Sequence, residues 1–486
     1  MQVLLGFESL ILRQTKKMTS QDRDVFYFIY LIRIINKAMR VHLSDHFTYK
    51  KIFHLVIFPI IMMVFTSLYS IIDGIFISNY SNNPSSFAAV NLIFPFIMII
   101  GSIGFMMGAG GTALVSKKLG EGKKEEANKT FSLIIYFTIV LGVLISVVGF
   151  FLVRPVVVLM AHLSNSDSEN LISEATLYGR ILVSAQMFFI LQNVFQSFFT
   201  VVERPRLGFR FVLAGGITNI ALDALFIGVF RWGVVGAAAA TISGYVIASV
   251  GPLLYFIIRK DNPISLGKTR IVIKDILQSI YNGSSEFFSN IAMSVVSTLY
   301  NAQLLIAYGE NGVSAYGIIM YVGFIFCAIF IGYSIGMAPV IGYNYGAKNS
   351  AELRNVLKRS LIIIGISAVT MFVLSFSTAV PFAHIFSRNN QELVNLSITA
   401  IRIYSICYLA VGFAIFFSSF FTALNNGLLS LIISLTRTLI FQIGFLFLFP
   451  LFMGSIGIWW AVTIGEICGG ILSGTLVIIK RKKYGY

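Results

Sequence analysis

Long apolar stretches separated by short polar ones set the rhythm of this chain. A helix needs ~20 mainly apolar residues to cross a bilayer, and twelve stretches reach that length: 52–78, 88–115, 131–153, 176–201, 209–229, 234–258, 276–307, 313–342, 357–382, 396–424, 428–453 and 456–479. They predict twelve membrane spans, numbered here as runs 1 to 12. Between runs 3 and 4 the polar stretch Ser164 to Glu174 reads as a short exposed helix or loop.

The charges test this map, because cytoplasmic loops collect Lys and Arg. Of 36 Lys and Arg, thirty lie before run 1, in the loops after runs 2, 4, 6 and 8, or after run 12. Four (Arg154, Arg180, Arg231 and Arg388) lie on the other side, and Arg402 and Arg437 fall inside runs. The asymmetry predicts that both termini are cytoplasmic. It also explains the formal net charge of +16 by basic loops facing anionic lipid, without nucleic acid. Composition agrees. At 486 residues, 57% apolar, 12% charged and with mean hydropathy +0.85, the chain is far from the ~25% charge of a soluble domain. That excludes a water-soluble enzyme. Cys327, Cys407 and Cys468 each sit in an apolar run and read as packing residues, and five histidines are too few and too peripheral for a metal cluster.

The amino-terminal ~38 residues break the pattern. Val25 to Ile35 is apolar but too short to span, and it lacks a small-residue cleavage site. Met18 and Met39 offer alternative starts, so this stretch is either a misassigned start or an interfacial helix.

An internal repeat organises the rest. Shifting the chain by 226 residues places Gly110 on Gly336, Gly120 on Gly346, Ala89 on Ala315 and Glu126 on Glu352, while a shift of 221 places Gly236 on Gly457, Ala240 on Ala461 and Gly244 on Gly465. Each half holds six runs, so both copies start on the same side. The expected fold is an all-α integral membrane protein whose twelve transmembrane helices form two pseudo-symmetric six-helix bundles, a parallel repeat with its axis along the membrane normal. The expected organisation is a cytoplasmic extension (1–48), a first lobe (49–260), a cytoplasmic linker (261–275), a second lobe (276–479) and a basic tail (480–486).

Ionisable groups at membrane depth cost roughly 2.5–3.5 kcal/mol even on lenient scales, so each is a candidate for function. Of twenty carboxylates, four sit well inside runs: Asp73, Asp223, Glu286 and Glu466. Asn219 lies one helical turn before Asp223, and Tyr69 one turn before Asp73. This oxygen-rich set suits Na⁺ or a shared proton, against the alternative that each carboxylate bridges helices by hydrogen bonds. Glu286 follows Gly283-Ser284-Ser285, which the repeat aligns with the Pro59 region where a helix can bend. It either attracts a cationic substrate or caps a broken helix. Arg437 and Glu466 read as a buried ion pair, and Trp459-Trp460 as part of an interfacial aromatic belt. The 15 methionines and 69 aromatics suit a permissive apolar cavity, although most must pack or face lipid. Gly267-Lys268-Thr269 resembles the end of a phosphate-binding loop, but Asn262 stands where a glycine is required and no strand precedes it, which argues against an ATPase. The glycines of Gly104 to Gly111 allow close helix packing.

Several stretches taken together resemble the multidrug and toxic compound extrusion (MATE) family. They are Tyr69-Ser-Ile-Ile-Asp73-Gly-Ile-Phe-Ile-Ser, Gly108-Ala-Gly-Gly-Thr with Gly120-Glu-Gly-Lys-Lys, Thr218-Asn219-Ile-Ala-Leu-Asp223 and Val235-Gly236-Ala-Ala-Ala-Ala-Thr241. The lead-in Leu43-Ser-Asp-His-Phe-Thr-Tyr-Lys-Lys and the stretch ending in Arg437 are most similar to its MepA-like bacterial branch. The resemblance covers about residues 43–480. It implies a two-lobed exporter driven by Na⁺ or H⁺, alternating between inward-open and outward-open states, with Asp73 and Asp223 as coupling carboxylates. It places Tyr69, Tyr178, Asn193, Asn219 and Thr241 in the surrounding polar network. Glu286 sits earlier than the second-lobe acidic residue of some branches, and Glu286, Arg437 and Glu466 are carried only as candidate substrate contacts.

The expected activity is cation-coupled antiport that exports amphipathic, cationic compounds across a bacterial cytoplasmic membrane. It would need no cofactor and no metal beyond a transported Na⁺ at Asp73 and Asp223. Expected partners are small amphipathic or cationic molecules and membrane lipid, with no nucleic acid, no ATPase domain and a monomeric state. Two rivals make different demands. A lipid-linked oligosaccharide flippase needs a cationic cleft, for which Arg402 and Arg437 are a thin supply. A membrane-embedded transferase needs a catalytic His or a carboxylate cluster, and His42, His46, His54, His162 and His384 show no such grouping.

Overall fold

The computed structural model describes residues 41–80, 86–163, 168–259, 262–386 and 390–486; the amino-terminal stretch with Val25 to Ile35, Met18 and Met39, and also Arg388, lies outside them. The described chain is helical. The first half holds α1 (Tyr49–Tyr80), α2 (Ser86–Gly120), α3 (Lys124–Leu163), α4 (Glu169–Ser184), α5 (Gln186–Val201), α6 (Pro205–Asp223) and α7 (Gly233–Ile258). The second holds α8 (Ile273–Gly346), α9 (Ser350–Ser377), the short α10 (Ala379–Phe386), α11 (Gln391–Ser405), α12 (Tyr408–Ala423), α13 (Gly427–Leu435), α14 (Gln442–Met453) and α15 (Ile456–Tyr484). Two π-helical turns, Ala224–Val229 and Thr436–Phe441, follow α6 and α13.

These elements make twelve crossings among the described residues. Nine helices are each long and apolar enough to span a membrane, and two bent pairs, α4 with α5 at 53° and α11 with α12 at 48°, each span together. The twelfth comes from α8, whose 74 residues contain two crossings broken at Gly309, where φ 62 and ψ −151 leave helical space. A side chain would be strained in that conformation, so glycine is needed for the break. The protein is therefore a multi-pass membrane protein of two six-span lobes.

Apolar side chains of each lobe cluster around interiors that the sequence supplies locally. Phe131, Phe195, Phe198 and Phe256 fill one first-lobe cluster, and Tyr300, Tyr316, Leu446 and Trp459 fill one in the second. The lobes meet through α2 and α8 near the loops that carry most of the Lys and Arg, called here the basic face. Contact there is reciprocal. A Cβ on Gly120 would overlap the carbonyl oxygen of Tyr343, and one on Gly346 would overlap that of Lys117. Because Gly120/Gly346 and Lys117/Tyr343 are both pairs related by the 226-residue shift, the pseudo-two-fold axis passes through this contact. Gly110 against Ser279, and Gly283 against Met106, extend the same backbone-to-backbone seam.

Three local expectations change. Glu169 to Glu174 open α4 instead of forming a separate exposed element, while residues 164–167 lie outside the described residues. The helix continues through Gly283-Ser284-Ser285, because Gly283 serves close packing on α2 and the break falls at Gly309. Trp459 is 4% exposed and packs on Tyr308 with ring centroids 6.0 Å apart, so it belongs to the second-lobe core and not to an interfacial belt. The linker stretch Gly267-Lys268-Thr269 docks along α3: the Gly267 amide donates to Ser132 Oγ at 3.1 Å and the Thr269 hydroxyl to the Lys129 carbonyl at 2.8 Å.

Candidate functional site

The first-lobe site grows from a close approach of α6 and α7. A Cβ on Gly215 would stand 2.6 Å from the Gly244 carbonyl oxygen, and one on Gly244 2.8 Å from that of Gly215. Only bare backbone on both helices permits this spacing, and it brings Asn219 of α6 alongside Thr241 of α7. Gly216, next to Gly215, leaves room for the rings of Phe65 and Tyr69 from α1. Asp223 is the last residue of α6 before the π-helical turn Ala224–Val229, a type of insertion that recurs at functional sites. One turn beyond Tyr69, Asp73 projects from α1 towards it.

The two carboxyl groups lie side by side, with Asn219 next to Asp223. Asp223 is fully buried (0% exposed). Neither of its oxygens, nor Oδ1 of Asp73, nor either polar atom of the Asn219 amide, nor the Thr241 hydroxyl has a hydrogen-bond partner of good geometry. Buried polar atoms left without partners cost on the order of 1–3 kcal/mol each, so this grouping is expensive for a purely structural element. A small cavity of about 10 Å³ adjoins it, lined by Tyr69, Gln192, Val212, Gly215, Gly216, Asn219, Thr241, Gly244, Tyr245 and Ala248. That is room for roughly one water-sized particle, and no Lys or Arg is among the lining residues.

Of the seven first-lobe positions chosen from sequence, six converge. Tyr69, Asn219 and Thr241 line the cavity, Asp73 and Asp223 lie against each other beside Asn219, and Tyr178 on α4 lies within electrostatic reach of both aspartates. Asn193 does not join them: its amide donates to the Phe189 carbonyl of its own helix at 3.1 Å. Its neighbour Gln192 lines the cavity instead and meets the Tyr69 hydroxyl. Tyr245, one turn after Thr241, completes the rim. The signal for Gln192 was the run Gln192-Asn193 with Gln196 in an otherwise apolar stretch, since buried amides need a purpose; which of them faced inward was not readable.

In the second lobe the charged residues are consumed internally. Arg437 Nη1 stands 3.3 Å from Glu466 Oε2, with both side chains largely buried, and Gln442 Nε2 donates to Glu466 Oε1 at 2.8 Å. The expected ion pair is present, and Glu286 lies within electrostatic reach of Arg437. Both Glu466 oxygens are thus engaged, in contrast to those of Asp223. Arg402 is exposed and stacks over the Phe376 ring at 5.4 Å, so the arginines of runs 10 and 11 do not assemble a cationic cleft. Among the described residues no group of three or more His, Cys, Asp or Glu is arranged to hold a metal ion.

Comparison with known proteins points the same way. The multidrug export protein MepA of Staphylococcus saprophyticus is 26% identical over 426 residues, covering 87% of this chain and 92% of that protein. MepA of Staphylococcus aureus strain MSSA476 is 25% identical over 433 residues, covering 88% and 93%. An outward-facing multidrug resistance MATE family transporter of the MOP superfamily superposes with a TM-score of 0.83 at 23% identity, over 92% of this chain and 98% of that one. A MOP superfamily transporter from Pyrococcus furiosus superposes with a TM-score of 0.82 at 22% identity. The MatE family profile matches residues 59–225 and 286–448, one block in each lobe. With most of its length matched in this way, the chain belongs to the MatE, or multidrug and toxic compound extrusion, family of transporters.

Proposed function

We propose that this protein is a cation-coupled antiporter that exports amphipathic, cationic compounds. The reading rests on one observation: two adjacent carboxylates, Asp73 and Asp223, are held at membrane depth with buried oxygens that lack well-formed hydrogen bonds, next to Asn219, which lines a cavity of about 10 Å³. With Asn219, Thr241 and Tyr69 they form an all-oxygen donor set suited to Na⁺, or a pair that shares a proton. The drug cargo follows the activity printed for the MepA relatives.

The basic face is taken as cytoplasmic from its Lys and Arg excess. With the glycine seam closed on that face, we read the conformation described as an outward-facing state. A cation arriving from outside must bind the two states unequally, or it could drive nothing. Its arrival between Asp73 and Asp223 cancels their mutual repulsion, lets α1 and α6 draw together and changes which face the lobes favour.

The test is efflux of a cationic dye from proteoliposomes under separately imposed Na⁺ and proton gradients. Wild-type protein should respond to at least one gradient, and Asp73→Asn should remain in the membrane but lose the response. Undiminished gradient-driven efflux by Asp73→Asn would refute the assignment.

A further inference from the structure

A short strap precedes α1 and joins the lobes. Residues 41–48 contain a repeated dipeptide of His followed by an apolar residue, His42-Leu43 and His46-Phe47. Each copy is held by one glutamate in the same way. Glu203, between α5 and α6 of the first lobe, accepts from His42 Nδ1 at 2.6 Å and from the Leu43 amide at 2.8 Å. Glu352, in the first turn of α9 in the second lobe, accepts from His46 Nδ1 at 2.7 Å and from the Phe47 amide at 2.8 Å. One carboxylate thus clasps a side chain and a backbone group at each end.

The two ends are unequal. Leu43 is 4% exposed and Phe47 0%, and both are buried in a cluster built mainly from second-lobe residues such as Met337, Leu353 and Phe420. Asn355 adds a bond to the Phe47 carbonyl at 3.0 Å. The strap is therefore seated on the second lobe, and Glu203 supplies its carboxylate clasp to the first. Glu203 itself sits at φ 60, left-handed space that disfavours any residue with a Cβ. Asn425 occupies the corresponding turn of the second lobe, between α12 and α13, and is also left-handed at φ 58. Asparagine tolerates that conformation better, so a glutamate held there points to a demand for its carboxylate.

We propose that residues 41–48 are a bolt across the basic-face seam, and that inward opening breaks the His42–Glu203 clasp while the Glu352 clasp holds. The inference rests on the alternating-access reading above and adds a gate element to it.

Ser116 reports on the seam. It is fully buried, its hydroxyl has no partner, and it faces Gly342 of α8, so cysteine fits in its place. In a background with Cys327, Cys407 and Cys468 replaced by alanine, Ser116→Cys is reacted with a charged maleimide on protein in lipid nanodiscs. Adding Glu203→Gln should raise the labelling rate about three- to tenfold, the worth of a charge-assisted bond discounted for partial exposure. Glu125→Gln, whose side chain pairs with Lys129 on the surface of α3, should leave the rate unchanged. His42→Gln breaks the same clasp from the other side and serves if Glu203→Gln does not accumulate. Unchanged Ser116→Cys labelling in these variants would overturn the bolt. Efflux is not the readout. Unchanged labelling beside gradient-driven, Asp73-dependent efflux sinks the bolt alone, whereas faster labelling without any efflux sinks the transport reading alone.

Discussion

Asp223→Asn offers the sharpest test of whether the paired carboxylates are a working site or a structural bridge. Two like charges about 4 Å apart at an effective dielectric near 20 repel by ~4 kcal/mol. Asp223 is fully buried, and only the neighbouring Asn219 amide is placed to offset part of that repulsion. Asparagine keeps the shape and removes the charge, but introduces an amide that itself costs ~1–3 kcal/mol if unpaired. The balance is a gain of roughly 1–3 kcal/mol in medium that supplies no coupling cation. One kcal/mol moves a melting midpoint ~2–4 °C in domains of 150–250 residues and less in a longer chain. Intrinsic-fluorescence melts in detergent, in choline chloride at pH 8, should therefore show the variant about 2–5 °C above wild type. Adding Na⁺ or lowering the pH should stabilise the wild type, by ~2.7 kcal/mol at a hundredfold excess over Kd, and leave the variant flat. A structural bridge predicts the reverse: a variant melting below wild type, and a wild type indifferent to both ions. That outcome would refute the reasoning.

Two further substitutions probe the polar interior. Arg437→Met leaves Glu466 and Glu286 without their shared cation and should cost ~3–5 kcal/mol, with most of the loss recovered in Arg437→Met/Glu466→Leu; melts of the single and double variants under identical conditions decide it, and equal destabilisation of both would show the pair to be immaterial. Thr241→Val removes a buried unpartnered hydroxyl at constant shape, so cation-free stability should rise by ~1 kcal/mol while about tenfold more cation is needed for the same stabilisation, a shift of ~1.4 kcal/mol in binding. An unaltered cation titration would remove Thr241 from the site.

Much of this molecule is set by one-dimensional physics. Hydrocarbon forces each crossing into ~20 apolar residues, so the twelve runs were legible without any fold, whereas the bends inside runs 4 and 10 were not. Asp73 and Asp223 stood out because charge at that depth is costly wherever the helix points. The glycine repeat was visible because close backbone approach leaves small residues at fixed spacing.

Facing direction is another matter. Gln192 and Asn193 are adjacent and both amides, and the bend between α4 and α5 resets the helix phase, so only the packed structure turns Gln192 to the cavity and Asn193 to its own backbone. Trp459 reads as interfacial from its place near a run's end, yet α15 rotates it into the core. The clasp between His46 and Glu352 joins groups 306 residues apart. Local propensity and hydropathy carry no information about such a pairing. It exists because two lobes, each folding from its own apolar runs, close on a shared axis and bring those loops within hydrogen-bonding distance.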